Sequence, residues 1–339
     1  MDRQFPPEIV DLIVKASLHP VDHVVRPPEV CSRYSILKSY SLLNSTWREI
    51  CKPSLYRVVF IKSEGAASEF LRVAAQQGGA IGGVEVMDIW CSGWTDKRPT
   101  ALLQCVPQLR SLTVSFAAFH AEDLPNLHHL DKLTLIHSTV GPFAHSTQLP
   151  IRHLRIDSST SSTALRALLT PAVLPNLREV DLNHAHLHDL TALIPQLTAL
   201  HPEYGTIVRY LPLATGLRLL SLDSVQCMLQ VLPSLTPLTP LPPCLLLRCC
   251  HDYRRLVEVL QHLAANPARG LTRIFVDCHY VKDSGHDAAI DQLVVEVGSK
   301  GIVVEIGRFT FSQAIQRTDA ILLAEKEAAE KREWGGLRR

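Results

Sequence analysis

From Val84 onward the apolar residues of this chain return in one spacing, and that constrains its fold more than any other feature. Six segments follow apolar-x-x-apolar-x-apolar, with a further apolar residue five positions later. They are Val84/Met87/Ile89/Trp94, Leu109/Leu112/Val114/Phe119, Leu130/Leu133/Leu135/Val140, Leu177/Val180/Leu182/Leu187, Leu217/Leu220/Leu222/Cys227 and Leu271/Ile274/Val276/Val281. Ile151/Leu154/Ile156 is a seventh with Ser161 in the last place, and Val304/Ile306/Phe311 an eighth with Gly301 in the first. A unit of this length cannot bury its apolar pair alone. It must stack on a neighbour, so the pattern predicts an array with one short strand per repeat.

The second apolar positions, Met87, Leu112, Leu133, Leu154, Val180, Leu220, Ile274 and Val304, lie 25, 21, 21, 26, 40, 54 and 30 residues apart. A repeat hidden at Leu245-Leu246-Leu247 splits the interval of 54 into 25 and 29. The interval of 40 is read as a helix over Leu190 to Leu200 plus an unplaced insert, Pro202 to Pro212. Several segments are introduced by one turn, as in Val106-Pro107-Gln108-Leu109 and Leu174-Pro175-Asn176-Leu177. Residues 82–311 resemble a leucine-rich-repeat array. Thr100–Val106, Ser162–Leu169, Leu190–Leu200, Tyr253–Ala265 and His286–Val297 are the expected outer helices. The position that in this family is Asn or Cys holds Ser92, Ala117, Ser138, Ser159, Ala185, Val225 and His279. Without that side-chain ladder an irregular solenoid is expected.

The first sixty residues are of another kind. Pro6 and Pro7 start a helix where a missing N–H costs nothing. Ile9, Leu12, Ile13 and Ala16 fall on one stripe. Residues 20–35, with Pro20, Pro27 and Pro28, read as a loop. A second helical region carries Leu37, Tyr40, Leu43 and Trp47 on one face and is closed by Pro53. Leu55 to Ile61 reads as a strand, and Glu64 to Gln76 as a helix stopped by Gly78-Gly79. Phe5-Pro6-Pro7-Glu8-Ile9, Leu43 to Trp47 and Pro53-Ser54-Leu55-Tyr56 resemble the F-box in its divergent fungal form. The departures are Phe5 in place of Leu and the insert between His19 and Tyr34.

These readings divide the chain into a helical module (1–61), a repeat region (62–311) and a helical tail (312–339) that caps the last repeat, with Arg338-Arg339 disordered. The fold class expected is α/β: a small helical module followed by an irregular solenoid of short parallel strands with outer helices. The F-box resemblance implies contact with a Skp1-type adaptor, and through it a cullin ligase, by Phe5, Pro6, Ile9, Ile13, Leu43 and Trp47. The period-2 rule turns the residues flanking each buried pair to the opposite face of the strands. From that set Trp90, Thr113, Lys132, His153, Arg155, Glu179, Asp181, Arg273 and Phe275 are expected to meet a protein substrate. Trp90, Arg155, Arg273 and Phe275 are its anchors.

Composition narrows the alternatives. Lys+Arg 34 against Asp+Glu 33 offers no basic excess for nucleic acid. The apolar stretch Met228–Leu247 carries five prolines and reads as no membrane span. Nine cysteines without paired spacing, and no signal peptide at the start, fit reduced thiols in the cytosol or nucleus. No Gly-rich phosphate loop or nucleophile elbow is present, so neither a cofactor nor a catalytic site is expected. His184, His186 and His188, followed by Asp189, read as a solvated turn, with a metal-dependent enzyme as a remote alternative. The prolines from Pro233 to Pro243 read as a stiff connection. The second reading for the whole chain is a leucine-rich-repeat interaction scaffold with a helical cap and no ligase link.

Overall fold

The computed structural model describes residues 6–18, 27–96, 99–119, 127–141, 148–157, 168–183, 190–202, 210–222, 228–229, 241–248, 253–277 and 287–336. The chain forms two compact units, Met1–Asn176 and Leu177–Arg339. Both are α/β, with parallel strands and helices.

The first unit opens with three helices, α1 (Pro7–Ser17), α2 (Pro27–Ser41) and α3 (Ser45–Arg57). They share a small core of Val10, Val14, Leu37, Trp47 and Cys51. These helices depart from the sequence expectation in three places. Helix α1 buries Val10 and Val14 and leaves Ile9, Leu12 and Ala16 exposed. Both sets have helical spacing, and only the packing partner decides which faces inward. Pro27 and Pro28 begin α2 instead of lying in a loop, because the first turn needs no N–H from them. Pro53 does not close α3, which runs on to Arg57. The break between α2 and α3 comes instead at Asn44, whose side chain accepts from the Trp47 amide at 3.1 Å and caps α3.

The strands of this unit are β1 (Val58–Ile61), β2 (Val86–Trp90), β3 (Ser111–Ser115), β5 (Lys132–Ile136) and β7 (His153–Asp157), each parallel to the next. The short β4 (Ala118–Phe119) and β6 (Thr139–Val140) pair in a second ladder. Helices α4 (Glu64–Gln76) and α5 (Thr100–Gln104) lie in the connections. Gly78 ends α4 at φ 83°, a conformation that favours glycine, and Gly79 donates back to the Ala74 carbonyl at 2.9 Å. The register reproduces the repeat read from sequence. Met87, Leu112, Leu133 and Leu154 are aligned, as are Ile89, Val114, Leu135 and Ile156. All eight are buried, and each stabilises the unit by roughly 1.5–3 kcal/mol. Strand β1 joins the same rows, Val59 beside Met87 and Ile61 beside Ile89.

The ladder expected to be missing is present at one position. The fully buried Ser138 hydroxyl lies 2.9 Å from the Ile136 carbonyl and 3.1 Å from that of Val114, and accepts from the Ala117 amide at 3.3 Å. A serine reaches two neighbouring turns because the backbones approach closely there. Ser138→Ala is expected to cost about 1–3 kcal/mol by orphaning these groups. A denaturant titration showing no loss would refute this role.

The second unit contains β8 (Glu179–Asn183), β9 (Ala199–His201), β10 (Leu219–Leu222), β11 (Cys244–Leu247), β12 (Arg273–Asp277) and β13 (Val303–Gly307), parallel and in sequence order. Val180, Leu200, Leu220, Leu245, Ile274 and Val304 form one register row. The hidden repeat at Leu245–Leu247 is therefore β11. The interval of 40 residues hides another strand, β9, where a helix was expected. Pro195 interrupts a helix over Leu190–Leu200 by removing a donor. The chain makes a 3-10 turn at Ile194–Gln196 and then extends. Helices α6 (Tyr253–Ala265) and α7 (Asp287–Ser299) stand where outer helices were expected.

The last helix, α8 (Phe311–Gly336), begins one residue before the tail read from sequence. Its apolar stripe, Phe311, Ala314 and Ile315, packs on Ala199, Leu219, Cys244, Leu246 and Phe275. It therefore covers the sheet face opposite the repeat core, rather than only the end of the stack.

Candidate functional site

Two surfaces of the first unit collect most of the residues singled out from sequence; Glu179, Asp181, Arg273 and Phe275 lie in the second unit. On the helical module, Pro6 and Ile9 are exposed and Ile13 is half-buried against the small core. Leu43 is 61% exposed in the turn between α2 and α3, and its neighbour Leu42 is 71% exposed. Trp47 is buried, its ring 5.1 Å from that of Tyr40, so it supports the surface from beneath. Phe5 lies outside the described residues. Leu12, 60% exposed, and Leu42 were not singled out as contact residues. The signal for Leu42 was present: two leucines stand just before the helix-capping Asn44, where a loop would ordinarily be polar. Isolated exposed leucines are common, but Ile9, Leu12, Leu42 and Leu43 on a unit this small leave much apolar surface in water.

The second surface is the strand face opposite the repeat core. Asp88, Thr113, Thr134 and Arg155 align across β2, β3, β5 and β7. Ser111, Lys132 and His153 form the next row, and Trp90, Ser115, Ile136 and Asp157 the third. Among the predicted contact residues Trp90 is exposed, while Thr113, His153 and Arg155 are half-buried. Lys132 retains only 9% of its surface. Arg155 Nη2 lies 3.3 Å from Asp157 Oδ2, and His153 Nε2 lies 3.3 Å from Asp131 Oδ2.

Trp90 is held by neighbouring rings. Phe116 is 4.9 Å away, and His137 stacks on Phe116 at 5.0 Å. Phe116 and His137 adopt positive φ angles of 57° and 46°. Such backbone is costly for side-chain-bearing residues, and the two sit at equivalent points one repeat apart.

Asp88 is the least comfortable group on this face. Its Oδ1 is buried without a hydrogen-bond partner. Burial pushes its carboxyl up to about 6, against a smaller opposing pull from Lys62. A desolvated carboxylate is a ready acceptor for a hydrogen-bond donor or a cation.

In the second unit the same face is differently used. Glu179 and Arg273 are half-buried and Asp181 is buried. Arg273 Nη1 pairs with Glu305 Oε1 at 2.6 Å. Phe275, expected to be an exposed anchor, has no exposed surface and packs beneath α8, with Phe309 at 5.3 Å. The period-2 rule placed Phe275 on the correct face, but a strand's sequence cannot report what covers that face. His201 Nδ1 and Ser221 Oγ, 2.8 Å apart, are fully buried and form an internal hydrogen bond of the sheet. The histidines at 184, 186 and 188, and the pairs Cys249–Cys250 and Cys278–His279, lie outside the described residues.

Fold and surfaces together define an α/β repeat protein with a helical module before its first strand and a polar strand face in its first unit. Neither a known protein family nor a curated protein matches the chain. Among the described residues no helix is long and apolar enough to cross a membrane.

Proposed function

We propose that the chain is the substrate-recognition adaptor of a Skp1–cullin–F-box ubiquitin ligase. The helical module docks on a Skp1-type adaptor, and the polar face of the first unit's strands holds a protein substrate. The repeats have the spacing of a leucine-rich-repeat array. Its mechanism is proximity: cargo held near a ubiquitin-charged enzyme experiences a raised effective concentration, with no chemistry by this chain. The observation that carries the reading is the exposure of Ile9, Leu12, Leu42 and Leu43 on a three-helix unit whose own core is already filled by Val10, Val14, Leu37, Trp47 and Cys51. Apolar side chains left over after a core is complete mark a docking surface.

One contact favours the second reading, a repeat scaffold with a helical cap. The Tyr34 hydroxyl donates to the Val58 carbonyl of β1 at 2.6 Å, so the module also satisfies the first strand. The two roles are separable by mutation. Ile9→Asp places a charge on the exposed stripe and is expected to weaken co-purification with a Skp1-type adaptor ten- to a hundredfold, about 1.4–3 kcal/mol, without lowering stability. Trp47→Ala opens the module's core and is expected to lower stability first. Adaptor capture that is unchanged by Ile9→Asp would leave the scaffold reading.

A further inference from the structure

The second unit's sheet face is already filled, and the way it is filled is informative. Helix α8 offers a stripe of Phe311, Ala314, Ile315, Thr318 and Ile321, spaced at three and four residues. The surface beneath it runs across β9, β10, β11 and β12 through Ala199, Leu219, Cys244, Leu246 and Phe275. Among the described side chains of α8, those that take part lie in its first half. From Leu323 to Glu330 every side chain is exposed, although the helix continues to Gly336. That second half is rich in Ala, Glu and Lys, which hold a helix without help from packing. The polar ties that fasten the first half lie at its margin. Asp319 meets Arg218 at 3.4 Å with both side chains more than half exposed, and Arg317, also exposed, meets Glu305 at 2.7 Å. An exposed pair such as Arg218–Asp319 holds weakly and opens readily, whereas Glu305, 19% exposed, also pairs with Arg273 at 2.6 Å.

We propose that this sheet face is a groove for an amphipathic helix, and that α8 is its resident, exchangeable occupant. The partner it fits is a protein helix with apolar residues at i, i+3 or i+4 and i+7, small where Ala314 stands, because that is the chemistry already seated there. This rests on reading the strand face as a recognition surface, as in the adaptor role above. The second unit's apolar groove then opens only to a helix that outcompetes α8. The exposed stretch from Leu323 to Glu330 leaves a segment from which the exchange can start.

A reversible lock tests this in the full chain. The Thr318 hydroxyl adjoins the buried Cys244 thiol, so Thr318→Cys puts a second thiol beside it, and a thiol count after oxidation shows whether the disulfide that ties α8 to β11 has formed. The probe is a fluorescent peptide of residues 309–330. In the reduced variant and in the wild type, the peptide is expected to bind weakly, and oxidation is expected to abolish binding. If α8 fills the groove 99% of the time, the release variant F311D/I315D should bind the peptide about 100-fold more tightly. Amide exchange on the wild type gives a readout that needs no variant. Amides in residues 311–322 should exchange at least about 100-fold faster than those of β11 and β12, since the helix opens without the sheet. Equal exchange rates, with no peptide entering the wild type or the reduced variant, would make α8 a fixed core element and overturn the proposal. The lock leaves Ile9 and Leu43 untouched. Loss of adaptor capture with peptide exchange intact would therefore sink the ligase reading alone, and the converse would sink only this one.

Discussion

Phe275→Ala is expected to lower the stability of the second unit by about 3–5 kcal/mol, the range for truncating a fully buried phenylalanine. The side chain is completely enclosed between the strands and α8, against Phe309 and the Phe311/Ala314/Ile315 stripe. Had it been the exposed anchor that its strand position suggests, the same change would shift stability by no more than about 0.5 kcal/mol. Denaturant unfolding of the full chain, followed by a probe in the second unit, separates the two. A midpoint within error of the wild type would mean that α8 does not cover this residue in solution.

The second large effect is a pH dependence centred on Asp88. Its carboxyl is raised from 3.8 to about 6 by burial. In the unfolded chain the group loses its proton first as pH rises, so stability falls between about pH 4 and pH 6 and is level above that. A raised carboxyl of this size costs on the order of 2–3 kcal/mol at neutral pH. Asp88→Asn removes the charge and keeps the shape. The variant is expected to match the wild type near pH 4 and to exceed it at pH 7 by about 2 kcal/mol, roughly 4–8 °C in Tm for a unit of this size. Equal pH profiles for the two proteins would show that Asp88 is solvated or paired in solution. If a basic partner binds this face, the same substitution should weaken that binding while raising stability, which is the usual conflict between a site and its scaffold.

Much of the fold was legible because strands stacked in register must repeat their buried pair. Met87/Ile89, Leu112/Val114, Leu133/Leu135 and Leu154/Ile156 fall in adjacent rows. The hidden strand at Leu245–Leu247 could be found by dividing an interval that was too long. Strand β9 could not. It has three residues, and the leucines before it imitate a helix until Pro195 is weighed. Helix α1 shows a different limit. Ile9/Leu12/Ala16 and Val10/Val14 both have helical spacing, and periodicity alone does not say which stripe meets α3. The Ser138 ladder was missed by expecting Asn or Cys where a smaller hydroxyl suffices. On the strand face opposite the repeat core, the alternation of side chains was readable, but covering by a distant helix was not. Arg155 and Trp90 therefore remain at the surface of their unit, while Phe275, chosen by the same rule, is buried.

The helical module carries the functional reading, and its apolar surface can be tested directly. Calorimetric titration of the full chain with a purified Skp1-type adaptor should show one-to-one binding with a negative heat-capacity change, the mark of apolar burial. That heat should disappear in an I9D/L43D variant that melts like the wild type. A folded chain that gives no heat and does not co-elute with the adaptor, or one whose binding survives both substitutions, would contradict the account.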